Sequence, residues 1–247
     1  MTKGQGITIK KNVSKFDGDV RETGSYGYTT DRLSARLANN RISDEIAQSY
    51  DFSRKKVLDL GCGDGAYTLE FLSLGVREII GVDPAGIAID AANIKAKKLG
   101  LDALVKFEVG NIYALDSYIN DNRFDCIVLR GVLHHLPDAA RAIAGLTTFN
   151  GTIIVLEPNG NNPVLKLIER FSRYHIAHEE RSFSPSLIFS WLIAAEFRVH
   201  SCRLINLIPF FCPDWMARVL RAVGPFIERV PLLRDIACGQ VVIVARR

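Results

Sequence analysis

Two adjacent histidines, His134 and His135, stand in Gly131-Val132-Leu133-His134-His135-Leu136, just beyond an apolar run over 124–129 that ends in Arg130. Imidazole titrates near neutrality, so either ring can take a proton from a hydroxyl held beside it, with His135 the first candidate base. Carboxylates end other apolar runs in the same way: Asp59 after Val57-Leu58, Asp83 after 78–82 and Glu157 after 152–156. Asn111 closes a further run, and its amide oxygen is an acceptor. Acids, an amide, a guanidinium and imidazoles at the ends of successive apolar runs suit a site that holds a polar ligand by several handles and draws a proton from a second molecule.

The element that must position Asp59 is written into residues 57–65, Val-Leu-Asp-Leu-Gly-Cys-Gly-Asp-Gly. An apolar strand there breaks into a glycine turn that brings backbone against a ligand, and a helix predicted over 66–74 aims its free N–H groups at the same place. Gly61-Cys62-Gly63-Asp64-Gly65-Ala66 satisfies the permissive dinucleotide pattern, so the glycines alone do not choose the ligand. Asp59 does choose. A carboxylate just before the turn repels a pyrophosphate and attracts an ammonium group, which favours S-adenosylmethionine over NAD. Asp83, about twenty residues after the turn, stands where a ribose is held by its hydroxyls in either case.

Val57–Gly65, Gly81–Asp83, Gly110–Ile112 and the segments 124–136 and 151–158 resemble, in order, the motifs of class I S-adenosylmethionine-dependent methyltransferases. The resemblance covers roughly residues 57–159. It implies that Asp59 and the Gly61-Cys62-Gly63 turn cradle the methionine end, that Asp83 takes the ribose hydroxyls and that Pro84 packs on the adenine. Asn111 stands where the family usually has Asp and accepts from the adenine amino group; Ile112 covers the ring, and Arg130 reaches the carboxylate. The implied donor is S-adenosyl-L-methionine and the product S-adenosyl-L-homocysteine.

Strands over 57–60, 78–82, 105–109, 124–129 and 152–156 alternate with helices predicted over 86–99, 116–120 and 138–149, which requires parallel pairing and right-handed crossovers. The expected fold is α/β: a doubly wound, mostly parallel, seven-stranded Rossmann-like sheet with an N-terminal helix over 31–50 and a C-terminal helical insertion. Its 247 residues, 48% apolar and 23% charged, make one domain: 1–50 a lid and helix, 51–160 the cofactor-binding core, 161–247 the acceptor side. Tyr26 and Tyr28 are candidate lid residues. The five cysteines show no paired spacing and read as buried thiols of a reducing compartment; with no apolar leader near Met1, the expected location is cytoplasmic.

The acceptor side begins at Glu157-Pro158-Asn159-Gly160, followed by a connector helix predicted over 164–178 and by Tyr174, His175, His178, Glu179, Glu180 and Arg181. His175-x-x-His178-Glu179 lacks a partner at a known metal spacing, so no metal site is expected. Further on, Trp215, Met216, Val219, Leu220 and Val223 share a helical face before an expected break at Gly224-Pro225. Residues 161–247 hold twelve Lys+Arg against seven Asp+Glu, a balance of +5, whereas the whole chain is +4. Arginine beside aromatic bulk fits a peripheral membrane contact, a homodimer face or a plain lid. The modest charge and the absence of an Asn/Asp-Pro-Pro-Tyr segment argue against nucleic acid. The expected function is methyl transfer, to oxygen, on a small-molecule, lipid-linked or glycosylated acceptor; the alternative is a catalytically silent S-adenosylmethionine-binding protein that acts through its C-terminal surface.

Overall fold

A computed structural model describes residues 31–172 and 181–247. Tyr26, Tyr28, Tyr174, His175, His178, Glu179 and Glu180 lie outside them. Seven strands, β1 (Lys56–Leu60), β2 (Glu78–Asp83), β3 (Val105–Val109), β4 (Cys126–Arg130), β5 (Thr152–Pro158), β6 (Arg198–Ile205) and β7 (Gln240–Arg246), form one sheet in the order β3-β2-β1-β4-β5-β7-β6. All neighbours pair parallel except β7, which runs antiparallel to β5 and β6.

The two faces of the sheet follow from side-chain alternation. Leu58, Leu60, Ile127, Leu129, Ile153 and Val155 point to one face, while Val57, Cys126, Val128, Ile154 and Leu156 point to the other. On the first face pack α3 (Asp116–Asn122), α4 (Ala139–Ala144) and α6 (Pro185–Ala194); on the second, α1 (Leu33–Ser49), through Ile42 and Ile46, and α2 (Gly86–Lys98). Covered on both sides, the central strands carry near-continuous apolar runs. By the same parity Asp59 and Arg130 belong to the α1 face and Glu157 to the opposite one.

Several elements depart from expectation. The stretch after the glycine turn is a 3-10 helix, Thr68–Leu74, and not an α-helix from 66. Its two buried residues, Thr68 and Phe71, are three apart, the 3-10 period, which lays both on the core side. The helix predicted over 138–149 is only α4, Ala139–Ala144, and the connector helix is α5 (Pro163–Phe171), capped by Asn162, whose oxygen accepts from the Val164 and Leu165 N–H groups. No break occurs at Gly224-Pro225: α7 (Asp214–Ile227) runs through it. Pro225 and Arg221 lie on the exposed side, where the carbonyl freed by the proline meets water. After α8 (Leu233–Ala237) the chain enters β7. Of the five thiols, Cys126, Cys212 and Cys238 are buried, Cys62 is partly exposed and Cys202, on the edge strand β6, is exposed, so burial holds for three only; none is in a disulfide.

Candidate active site

The glycine turn is welded to β2. Gly61 and Cys62 donate backbone N–H bonds to Val82 O at 2.7 and 3.3 Å, and Gly63 N–H donates to Asp83 Oδ2 at 3.0 Å. Gly61 has φ +79°, and a Cβ there would lie 2.5 Å from Val132 Cγ2, so only glycine lets the turn and the loop after β4 approach so closely. Asp64 points away from the turn, to Lys95 of α2 at 3.3 Å, and serves the fold.

Asp59 is buried, accepts from Thr68 Oγ1 at 2.6 Å, and has its pKa raised by burial to about 6. Such a carboxylate is short of positive charge. Arg130 lies near enough to favour its ionised form. The Arg130 guanidinium is itself committed: it stacks on the Tyr67 ring at 3.6 Å and donates to Ser43 Oγ at 2.9 Å and Glu70 Oε2 at 3.4 Å, with Asn39 Oδ1 also at 3.4 Å. Burial lowers its pKa and pushes that of Tyr67 up to about 12. Asn39 and Ser43 belong to α1, so the N-terminal helix lies over this end of the sheet. Nothing in the sequence pattern pointed to Tyr67, Asn39 or Ser43.

Asp83 Oδ1 accepts from Ala85 N–H at 2.9 Å, while its Oδ2 takes the Gly63 N–H, so both oxygens lie at the turn. Pro84 beside it is exposed. Asn111 caps a 3-10 turn, its Oδ1 accepting from Tyr113 N–H at 3.0 Å, and Ile112 is half-buried against the core. Burial, followed by the Asp59 and Asp83 carboxylates, pushes the Cys62 thiol up, which keeps it protonated. The ends of β1, β2, β3 and β4 thus carry every residue that the motifs singled out for the cofactor.

Across the β4 end lies a cluster organised by Glu157. This fully buried carboxylate accepts from Val132 N–H at 2.8 Å, Leu133 N–H at 2.7 Å and His134 N–H at 3.2 Å, and contacts His134 Nδ1 at 2.7 Å. A carboxylate only accepts, so the proton of the neutral ring is assigned to the Nδ1 that faces it, which puts the ring's acceptor on Nε2. The His135 ring lies 3.8 Å from that of His134, centroid to centroid. Both rings, with Arg130 and Gly131, border a cavity of about 500 Å³ whose other walls include α5, the loop before α7, α8, and Asn39 and Ile42 of α1. Apolar side chains such as Leu156, Leu165, Ile168 and Leu207 dominate it, and Arg181 also lines it. Arg181 is tied to the histidine loop, its N–H donating to His134 O at 3.4 Å. The sequence showed Glu157 as one more strand-end acid; its four partners became visible only in three dimensions. Among the described residues no group of three or more His, Cys, Asp or Glu is arranged to hold a metal ion.

Comparison with known proteins decides the family, since a model of the methyltransferase domain matches residues 51–189, more than half of the chain. The chain belongs to the class I S-adenosylmethionine-dependent methyltransferases. The tRNA U34 carboxymethyltransferase of Dichelobacter nodosus (strain VCS1703A) is 27% identical over 160 residues, 62% of this chain and 49% of that protein. The ubiquinone biosynthesis O-methyltransferase of Rhodopseudomonas palustris (strain BisB18) is 30% identical over 109 residues, 43% of this chain and 41% of that protein. The chain therefore spans less than half the length of these two curated relatives. In fold it is similar to a geranyl diphosphate methyltransferase solved with geranyl diphosphate and sinefungin, at a TM-score of 0.66 and 15% identity over 97% of this chain and 99% of that one. The family's methyl donor is S-adenosylmethionine, and the residues at the strand ends fit it: a turn where a Cβ cannot stand, a buried carboxylate suited to an ammonium, and a second carboxylate, an acceptor, at the end of β2.

Proposed function

We propose that the chain transfers a methyl group from S-adenosylmethionine to a hydroxyl of a largely apolar acceptor held in the cavity beside His134. The observation that carries this reading is the Glu157–His134 pair at the wall of an apolar cavity, bordered by the same β4 end that faces the cofactor residues. In this reading Asp59 and the Gly61-Cys62-Gly63 turn hold the amino-acid end of the donor and Asp83 the ribose hydroxyls. Pro84 and Ile112 flank the adenine, and Asn111 lies alongside them.

Arg130 positions: its bonds to Asn39 and Ser43 hold α1 in place, so it closes the site over the donor and need not touch it. The bound donor supplies an electrophilic methyl on a sulfonium; a C–O bond forms, the S–C bond breaks, and S-adenosylhomocysteine and a proton leave. Glu157 holds His134 with Nδ1 protonated, so that Nε2 takes the hydroxyl proton. His135 stands against that ring and completes the wall. The apolar lining excludes water and orients the acceptor, and orientation of this kind is worth roughly 7–11 kcal/mol where it is well achieved.

An oriented imidazole favours this reading over a silent S-adenosylmethionine-binding protein, which has no use for one. The O-methyltransferase among the relatives agrees with an oxygen acceptor, and the apolar cavity favours a small or lipid-linked molecule over the tRNA named for the other relative. The test is incubation with methyl-labelled donor and a total cell extract, followed by phase partition. Label in the organic phase, on an alkoxy carbon by mass spectrometry, is expected; label in the RNA fraction overturns the acceptor assignment. Calorimetry with S-adenosylhomocysteine beside NAD tests the donor, and saturable binding of NAD alone overturns it.

A further inference from the structure

We propose that the mouth of the acceptor cavity is a docking collar for an anionic bilayer surface, through which a membrane-resident acceptor reaches His134. The proposal rests on the reading of the cavity as the acceptor site and adds the source of the acceptor.

The collar begins with α5, which buries none of its residues. Leu165 and Ile168 turn into the cavity wall, while Leu167 and Phe171 are exposed, Phe171 at 69%. A helix apolar on both sides has one face left for something other than water. Helix α7 shows the same surplus. It packs on α1 and the loop before it through Ala217, Leu220 and the buried Gly224, and this leaves Trp215, Val219, Ala222 and Phe226, at i, i+4, i+7 and i+11, on one outward stripe. Trp215 is 67% exposed and Phe226 68%. At α8, Leu232, Leu233 and Ile236 are exposed as well.

The surfaces of α5, α8 and the loop before α7 meet at the cavity. Val164 of α5, Phe211 of the loop before α7 and Ile236 of α8 each line the cavity and are each more than half exposed. An apolar molecule therefore passes from the outside of the collar to the histidines without leaving apolar surface. Exposed apolar patches of this kind mark interaction sites.

Charge identifies the occupant. The acids of residues 163–171 and 206–238 are all engaged: Glu169 with Lys166, Asp214 with Arg218, Glu228 with Arg41 and Asp235 with Arg234. Arg170, Arg221 and Arg229 remain, exposed and without an ion pair among the described residues. A two-fold interface between copies would set this patch against itself, arginine facing arginine, whereas an anionic bilayer accepts both the arginines and the apolar stripe. Among the described residues no helix is long and apolar enough to cross a membrane, so the contact is with the interface, where tryptophan is favoured.

The experiment is flotation of the full chain at low ionic strength with phosphatidylcholine vesicles, with and without phosphatidylglycerol, alongside the double variants Arg221→Glu/Arg229→Glu and Trp215→Ser/Phe226→Ser. Binding is expected only to the anionic vesicles. Each arginine near such a surface is worth about 1 kcal/mol, a factor of about five, so loss of two lowers the partition coefficient at least about 25-fold. Added salt should reproduce that loss. Calorimetric binding of S-adenosylhomocysteine should be unchanged in both variants, which separates failure of the collar from failure of the fold or of the donor site. Absence of binding by the wild-type chain overturns the proposal. So does a wild-type dimer in light scattering that the apolar double variant turns into a monomer, since the patch would then be a subunit interface.

Discussion

Replacing Glu157 by glutamine perturbs one charge at constant shape, and the structure sets its consequence. The carboxylate accepts four bonds, two on each oxygen: Oε1 from Val132 N–H and Leu133 N–H, Oε2 from His134 N–H and His134 Nδ1. Glutamine can retain the first pair on its carbonyl oxygen. Its NH₂ then faces two donors. The His134 ring resolves its half of that conflict by moving its proton to Nε2, which removes the base; the His134 backbone N–H has no such remedy. The one donor left unpaired gives a destabilisation of about 1–3 kcal/mol. For a chain of this size that is a fall in Tm of roughly 2–12 °C.

The direct assay needs no acceptor. Long-range proton–nitrogen NMR of the histidine rings reports which nitrogen of His134 carries the proton, with His134→Asn supplying the resonance assignment. Wild type should show Nδ1–H and Glu157→Gln should show Nε2–H, with S-adenosylhomocysteine still bound. Once an acceptor is found, turnover of Glu157→Gln should fall about 100- to 10,000-fold, the range for loss of a general base. A wild-type ring protonated on Nε2, or a folded Glu157→Gln chain with unchanged turnover, would refute the assignment of His134 as the base.

Other substitutions probe the donor side. Asp83→Ala should weaken S-adenosylhomocysteine binding by about 100-fold or more in calorimetry, since two charge-assisted bonds are at stake. Gly61→Ala meets Val132 Cγ2 at 2.5 Å with φ at +79°, so it should lower stability by about 1–3 kcal/mol in urea melts, and Val132→Ala added to it should restore only the steric share. Arg130→Met leaves Ser43, Asn39 and Glu70 without their guanidinium, and α1 amides should lose protection in hydrogen exchange while those of β4 do not. Asp59 has a folded pKa raised from 3.8 to about 6, so the native state holds the extra proton and stability falls as pH rises through that window. Asp59→Asn should therefore stabilise the ligand-free chain above pH 6, by roughly 3 kcal/mol, with the gain vanishing towards pH 4, while S-adenosylhomocysteine binding is lost.

Periodicity made the fold legible: every strand of the parallel core lies within two residues of where the apolar runs placed it, because a strand buried on both faces cannot hide its composition. The turns were less legible. The Gly224-Pro225 pair reads as a break because proline removes a helical bond, but whether a helix tolerates that depends on which side meets water, a property of packing and not of the dipeptide. At the site the division is sharper. Asp59, Asp83 and the glycines were legible because each lies at the end of its own strand, next in sequence to the turn it serves. Glu157 acts on residues 23 to 25 positions away, and its role arises because β4 and β5 are neighbours whose ends bring one buried carboxylate under three successive backbone N–H groups. The sequence reading put His135 first of the two histidines; the carboxylate of the neighbouring strand holds His134 Nδ1 instead, and the chemistry proposed for His134 follows from that contact.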